Sequence, residues 1–274
     1  MAQTQKRIGF IGAGQMAVAL AGGFIRAGLA SPQTILASDV LPSACERFAK
    51  STGAATTDDN LHVVQQSDVV WLAVKPQQIA KVCLQLRGQI TPQKLLVSIA
   101  AGVSLERLTG WLGDDVRLVR VMPNTPCLVG QGASAYALGA RATPDDGQLV
   151  QSLLSAVGVA CQVDETLLDA VTGLSGSGPA FVYVLIEALS DAGVRVGLPR
   201  ALAGKLAAQT VRGAAEMVLA TGEHPAVLKD RVASPGGTTI AGLAALEAGG
   251  LRAAVMAAVE AAACRSVELG KQQL

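Results

Sequence analysis

The chain has 274 residues, half of them hydrophobic but only 3% aromatic, with 22 basic and 21 acidic side chains and a net charge of +1. That length suits two domains, the near-neutral balance excludes a basic nucleic-acid face, and the core has to be built from Ala, Val and Leu. Charged residues make up only 16%, which fits a large core or an extensive subunit interface, because interface cores are depleted of charge.

The N-terminal half alternates strand and helix. Ile8-Gly9-Phe10-Ile11 is a short apolar run ending at Gly12-Ala13-Gly14-Gln15-Met16-Ala17, after which Val18-Ala19-Leu20-Ala21 has helical composition. Residues 34–39 read as a second strand and 42–50 as a short helix with Pro42 in its first turn. The continuous apolar run 68–74 reads as a strand covered on both faces. Further strands are expected at 95–99 and 116–121, with helices at 77–86 and 104–112 between them. This is the βαβ pattern of a doubly wound parallel sheet. Residues 132–138 and 157–163 can add edge strands, with a helix at 144–156 between them.

Beyond Val163 the strand signal stops. Segments 167–174, 179–196, 199–221, 225–232, 239–247 and 251–269 read as helices, punctuated by Gly after one helix and Pro just inside the next. The expected organisation is therefore an α/β fold: a Rossmann-type doubly wound sheet over residues 1–163, followed by an all-α domain over 164–274.

Five cysteines are widely spread and none forms a Cys-x-x-Cys pair. With only His62 and His224 to join them, no metal site is readable. They read as reduced thiols, with Cys127 in a loop the one to inspect. Lys6-Arg7 is followed by only four residues before the Gly-Ala-Gly turn, too few for the apolar core of a signal peptide. The least charged stretch, 170–186, is broken by glycines and Pro179 and falls short of the roughly 20 apolar residues of a membrane span. A cytoplasmic protein with no membrane partner is expected.

Two motifs carry chemistry. Gly12-Ala13-Gly14-Gln15-Met16-Ala17 is G-x-G-x-x-A, placed between a strand and a helix at the start of a βαβ run. The first glycine permits the tight turn, the second lets a pyrophosphate reach the backbone, and the small Ala17 lets strand and helix pack closely. Asp39 ends the second strand about 20 residues later, where an acid hydrogen-bonds the ribose 2′-hydroxyl of NAD and repels a 2′-phosphate; Ser38 adjoins it. Asp39 could equally start the next turn. Ala73-Val74-Lys75-Pro76 ends the 68–74 strand, where ligands bind in such sheets, and Met122-Pro123-Asn124-Thr125-Pro126 ends the strand from 116 in a rigid loop from which Asn124 can donate to the nicotinamide side. A solvated Lys75 and a plain turn at Asn124 are the alternatives.

The second motif is Val232-Ala233-Ser234-Pro235-Gly236-Gly237-Thr238-Thr239-Ile240, a bare-backbone turn leading into an apolar helix. Such a helix start offers free N–H groups and partial positive charge to a carboxylate, and the two hydroxyls can hydrogen-bond a group beside it. Neither histidine sits where an acid/base catalyst is expected. A substrate needing little acid catalysis fits better, and an imine qualifies because its nitrogen can be protonated before hydride arrives.

These residues resemble the pyrroline-5-carboxylate reductases. The likeness rests on Gly173-Leu174-Ser175-Gly176-Ser177-Gly178-Pro179-Ala180, on Asp191-Ala192-Gly193 with Gly197-Leu198-Pro199-Arg200, and above all on Ser234-Pro235-Gly236-Gly237-Thr238-Thr239, with the N-terminal motifs in the same order. The resemblance implies reduction of L-1-pyrroline-5-carboxylate to L-proline with NADPH or NADH, the last step of proline synthesis. It implies that the Thr239 hydroxyl hydrogen-bonds the ring nitrogen and that the Thr238 and Thr239 amides hold the carboxylate, with Val232, Ser234 and Gly237 lining the same loop. It further implies cofactor contacts at Asn60 near the adenosine, at Lys75 and Pro76, and at Ala100, Ala101 and Gly102 beside the nicotinamide. Family members that prefer NADPH often carry small polar groups at the second-strand end, and Asp39 departs from that pattern, so the cofactor is NADPH or NADH. The helical domain is implied to interleave with a second subunit in a homodimer, which a ring of dimers can extend to a decamer. The runner-up, a 3-hydroxyacid dehydrogenase, would need a catalytic lysine on a helix of the second domain, and Lys205 and Lys229 are the candidates there.

Overall fold

The computed structural model describes residues 6–272. It packs into two compact units, Met1–Ser177 with Ala261–Leu274, and Gly178–Glu260. The packing thus divides at Ser177, later than the 163/164 boundary expected from loss of the strand signal, because Leu168–Val171 (α7) and the π-helical turn Thr172–Gly176 stay with the sheet.

The first unit is built on an eight-stranded sheet. Its strands are β1 (Ile8–Ile11), β2 (Ile35–Ser38), β3 (Ala55–Thr57), β4 (Val69–Leu72), β5 (Leu95–Ser98), β6 (Arg117–Met122), β7 (Gly132–Leu138) and β8 (Gly158–Gln162). Their order is β3-β2-β1-β4-β5-β6-β7-β8. The first six follow the doubly wound order with its switch point between β1 and β4. All neighbours run parallel except β6 and β7. The expected doubly wound parallel sheet is therefore β1 to β6, and the two added strands join it through one antiparallel pair. The link 123–131 is too short for a crossover of a dozen or more residues, so the chain returns antiparallel; β7 is interior, and of these two strands β8 is the edge.

Strand side chains alternate between two cores. Ile8, Phe10, Val69, Trp71, Leu95 and Val97 face α1 (Gln15–Arg26), α2 (Pro42–Thr52) and α6 (Pro144–Ser155). Ile11, Val70, Leu72 and Leu96 face α3 (Asn60–Gln66), α4 (Pro76–Leu86) and α5 (Leu105–Leu112). The first face gathers five of the chain's eight aromatics, Tyr136 among them: Phe10 lies 6.1 Å from Trp71, 6.3 Å from Phe24 and 5.9 Å from Phe48 between ring centroids. Each such burial contributes about 1.5–3 kcal/mol, so this cluster fixes the strand ends that carry the glycine turn. Two elements were not anticipated, β3 and α3. The first is three residues at a half-exposed edge, and the second buries only Val63 and Val64, so neither has an apolar run long enough to show.

The second unit is α8 (Gly178–Arg195), α9 (Arg200–Thr221), α10 (Pro225–Arg231), α11 (Thr238–Ala248) and the first part of α12 (Leu251–Gln272), whose end belongs to the first unit. Here only Ser190, Ala203 and Ala207 are buried. Val184, Leu219 and Met256 are 65%, 71% and 72% exposed, and Leu185, Leu189, Leu202 and Leu206 are also exposed. α11 is apolar nearly all round and buries nothing. A helix of that kind needs a partner. No single helix among the described residues is long and apolar enough to cross a membrane; α11 and α12 reach that composition only together, across a 51° bend.

Candidate active site

The ends of β1, β2 and β4 form the nucleotide-type cradle. Gly12 takes φ +99°, and a Cβ there would fall 2.7 Å from the Ala73 carbonyl, so only glycine lets the β1 turn pass under the end of β4. Its N–H donates to the Ser38 carbonyl (2.7 Å), and the Ala73 N–H donates to that of Ile11 (2.8 Å). α1 then opens at Gly14 with no side-chain cap, and the first helical bond runs from the Val18 N–H to the Gly14 carbonyl. The Gln15, Met16 and Ala17 amides have no helical acceptor, and nothing lies within 4 Å of a Cβ built on Gly14. A bare helix start with open space above it fits a pyrophosphate.

Asp39 faces this cradle. Its Oδ2 accepts from the Ala13 N–H (2.9 Å) and its Oδ1 from the Leu41 N–H (3.0 Å). It therefore clamps the glycine turn and opens the β2–α2 connection, and a carboxylate has lone pairs left for a ribose hydroxyl. Ser38 is fully buried and donates to Asn60 Oδ1 (2.7 Å), while Asn60 Nδ2 donates to Gln85 Oε1 (3.0 Å). Ser38 thus acts on this region by holding Asn60. Lys75 caps α4 through its extended backbone, with Pro76 in the first turn; its side chain is exposed and has no ion pair among the described residues.

Beyond β5, Ala100 is buried and its N–H donates to Ser98 Oγ (3.3 Å), with Ala101 and Gly102 following. Asn124 turns inward: Nδ2 donates to the Ser175 carbonyl (3.0 Å) and Oδ1 accepts from the Ala133 N–H (2.9 Å). It ties the Met-Pro-Asn-Thr-Pro loop to the π-helical turn, leaving one amide hydrogen uncommitted. The loop cysteine Cys127 is buried, and burial pushes its thiol pKa up, which disfavours the reactive thiolate. His62 is exposed, and His224 Nδ1 accepts from the Ala226 N–H (3.2 Å) as the cap of α10. No group of three potential metal ligands occurs among the described residues.

The substrate-type loop lies in the second unit. Val232 is 65% exposed at the end of α10. The Gly237 N–H donates to the Ser234 carbonyl (3.1 Å), with Pro235 second and Gly236 third at φ +67°, the sequence and sign of a type II turn. Gly237 is the N-cap of α11 and gives it no side-chain cap; the first helical bond starts at the Ala241 N–H. The Thr238, Thr239 and Ile240 amides therefore lack helical acceptors. Of the expected residues, the first unit groups Gly12, Ala13, Gly14, Gln15, Met16, Ser38, Asp39, Asn60, Ala73, Val74, Lys75, Pro76, Ala100, Ala101 and Gly102 at successive strand ends, and the second groups Val232, Ser234, Gly237, Thr238 and Thr239 around one helix start.

Two family models match. Residues 165–269 match pyrroline-5-carboxylate reductase dimerisation, and residues 7–102 match NADP oxidoreductase, coenzyme F420-dependent. The pyrroline-5-carboxylate reductase of Methanosarcina acetivorans is 50% identical over 267 residues, covering 97% of this chain and 99% of the relative. The solved reductase of Coxiella burnetii superposes with a TM-score of 0.90 at 38% identity, over 97% of this chain and 99% of that one. The pyrroline carboxylate reductase of Plasmodium falciparum, solved with NADP bound, gives 0.89 at 34% identity over 98% and 100%. With relatives at this identity over nearly the full length of both chains, and solved structures that superpose this closely, the chain belongs to the pyrroline-5-carboxylate reductase family.

Proposed function

We propose that the chain reduces L-1-pyrroline-5-carboxylate to L-proline with NADPH or NADH, as the last step of proline synthesis. The observation that carries this is the uncapped start of α11 behind the 234–237 turn, a place for a carboxylate beside a hydroxyl that can meet an imine nitrogen. Gly12, Ala13, Gly14, Gln15 and Met16 would hold the pyrophosphate, Asp39 and Asn60 the adenosine end, with Ser38 behind Asn60. Ala73, Val74, Lys75 and Pro76 would line the cofactor's path, and Ala100, Ala101, Gly102 and the Asn124 loop its nicotinamide end. The bound cofactor supplies hydride to the imine carbon. In this chain the Thr238 and Thr239 amides bind the substrate carboxylate, Val232, Ser234 and Gly237 shape the loop, and the Thr239 hydroxyl orients the ring nitrogen that carries the proton in the product amine.

The functional division follows the 163/164 boundary: a dinucleotide-binding domain over 1–163 and a helical dimerisation and substrate domain over 164–274. The bare apolar helices of the second unit support a homodimer formed through that domain, with a decamer as a ring of such dimers. We place the protein in the cytoplasm, with no nucleic-acid or membrane partner. The test is oxidation of NADPH, and separately of NADH, on adding pyrroline-5-carboxylate or a 3-oxoacid. Turnover with the imine alone supports the reading. Turnover with the oxoacid alone would favour the hydroxyacid dehydrogenase, although Lys205 is exposed and Lys229 is paired with Asp230.

A further inference from the structure

The end of α12 lies against the 100–102 loop. The helix expected over 251–269 continues through Gly270 to Gln272, although glycine weakens a helix. The reason is contact: a Cβ on Gly270 would stand 3.0 Å from the Gly102 carbonyl oxygen, tighter than ordinary packing. Gly102 faces the same helix from the other side. It takes φ +73°, and a Cβ there would meet the Gly270 nitrogen at 3.4 Å and the Ser266 carbonyl at 3.5 Å.

This approach is fixed by buried and half-buried polar groups on three elements. Ser266 is buried and its Oγ donates to Asp169 Oδ1 (2.6 Å). Arg120, on β6 and also buried, places Nη2 3.8 Å from Asp169 Oδ1 and Nη1 3.0 Å from Glu165 Oε1. Glu165 Oε1 in turn accepts from the Leu105 N–H (2.7 Å) at the start of α5. The loop between β5 and α5 is therefore held at Leu105 by Glu165 and at Gly102 by α12, and Arg120 joins the two holds. A cavity of about 210 Å³ beside it is walled by Ala101 and Gly102 on one side and by Ala262, Arg265 and Leu269 of α12 on the other.

We propose that Gly270 is a positioning residue: the end of α12, pinned through Ser266, Asp169 and Arg120, braces the Ala100, Ala101 and Gly102 loop and so sets where the nicotinamide ring stands for hydride transfer. This rests on the reading that the loop faces the nicotinamide. A shift of about an ångström at a reacting centre costs up to roughly a hundredfold in rate, so a few tenths of an ångström are expected to cost several-fold.

The experiment compares Gly270→Ala, Gly270→Val and Gly102→Ala in the full-length, assembled protein. It measures kcat, KM, the deuterium isotope effect with C4-labelled cofactor, ADP-ribose affinity and Tm. Gly270→Val is expected to lose about tenfold in kcat and Gly270→Ala less. The isotope effect should rise in both, and ADP-ribose, which has no nicotinamide, should bind as before. Alanine favours a helix over glycine, so the Gly270→Ala Tm should not fall; lost activity without lost stability is what a merely structural glycine would not give. Wild-type kcat and isotope effect in Gly270→Val would overturn the brace, and if that variant fails to assemble, the same result in Gly270→Ala does so. Gly102→Ala separates the premises: if it turns over normally, the placing of the nicotinamide at this loop fails, whereas if it is slow and both Gly270 variants are normal, the brace alone fails.

Discussion

Replacing Asp39 with serine removes two things at once, and the structure gives a size to each. The carboxylate accepts from the Ala13 and Leu41 amides. Ala13 is buried, and leaving its N–H without an acceptor costs about 1–3 kcal/mol. For a domain of this size each kcal/mol lowers Tm by about 2–4 °C, so Asp39→Ser should melt several degrees early. The second effect is on cofactor choice. Taking the 2′-phosphate of NADPH at about 8 Å, two unit charges repel by roughly 2 kcal/mol at an effective dielectric of 20. About 0.1 M salt halves this, and roughly 1 kcal/mol is about fivefold. The ratio of kcat/KM for NADPH to that for NADH should rise by about five- to tenfold, more at low salt. Differential scanning fluorimetry and steady-state kinetics with both cofactors read the two effects independently. A lower Tm with an unchanged ratio would refute the ribose assignment and leave Asp39 as a clamp on the glycine turn. An unchanged Tm would refute the clamp.

Thr239→Ala keeps the helix start but deletes the hydroxyl, and kcat should fall toward the low end of the roughly 10²–10⁴-fold range for assisted proton transfer, because the imine can arrive already protonated; unchanged turnover at saturating substrate across pH removes Thr239 from the mechanism. Leu185→Glu places a charge on the apolar face of α8, where Leu185 is exposed within the chain, and is expected to split the dimer and abolish activity together; light scattering showing an active monomer near 27.8 kDa would contradict the assembly. Burial pushes the Cys83 thiol up to about 12 and raises that of Cys127, so at pH 8 a maleimide should label the exposed Cys161 and spare both until the chain is unfolded, as peptide mass spectrometry can show; labelling of either in the native protein contradicts the packing of the sheet.

The strand–turn–helix at Gly12 was legible because three signals coincide there: a short continuous apolar run, glycines with a steric need, and a segment of helical composition. The turn at 234–237 was legible for a like reason, since Pro235 and Gly236 have only one common arrangement in that order. What was not legible depends on contacts far apart in sequence. β3 and α3 are held by neighbours rather than by their own residues. The inward turn of Asn124 needs Ser175 and Ala133 in place, and the second role of Asp39 needs the Ala13 amide brought across from β1. The end of α12 differs for the opposite reason: the helix expected over 251–269 runs on through Gly270 to Gln272, where the glycine serves close approach to Gly102. The antiparallel turn-back of β7 is the one topological point a loop length could have signalled.

Hydride transfer to the imine carbon is the central claim, and isotope tracing tests it directly. The protein is supplied with pyrroline-5-carboxylate and nicotinamide cofactor deuterated at C4, each epimer in turn, and the proline formed is examined by mass spectrometry and chiral chromatography. The account predicts L-proline carrying a single deuteron on the former imine carbon from one epimer and unlabelled L-proline from the other. Proline without label from either epimer, or cofactor oxidation with no proline formed, would contradict it.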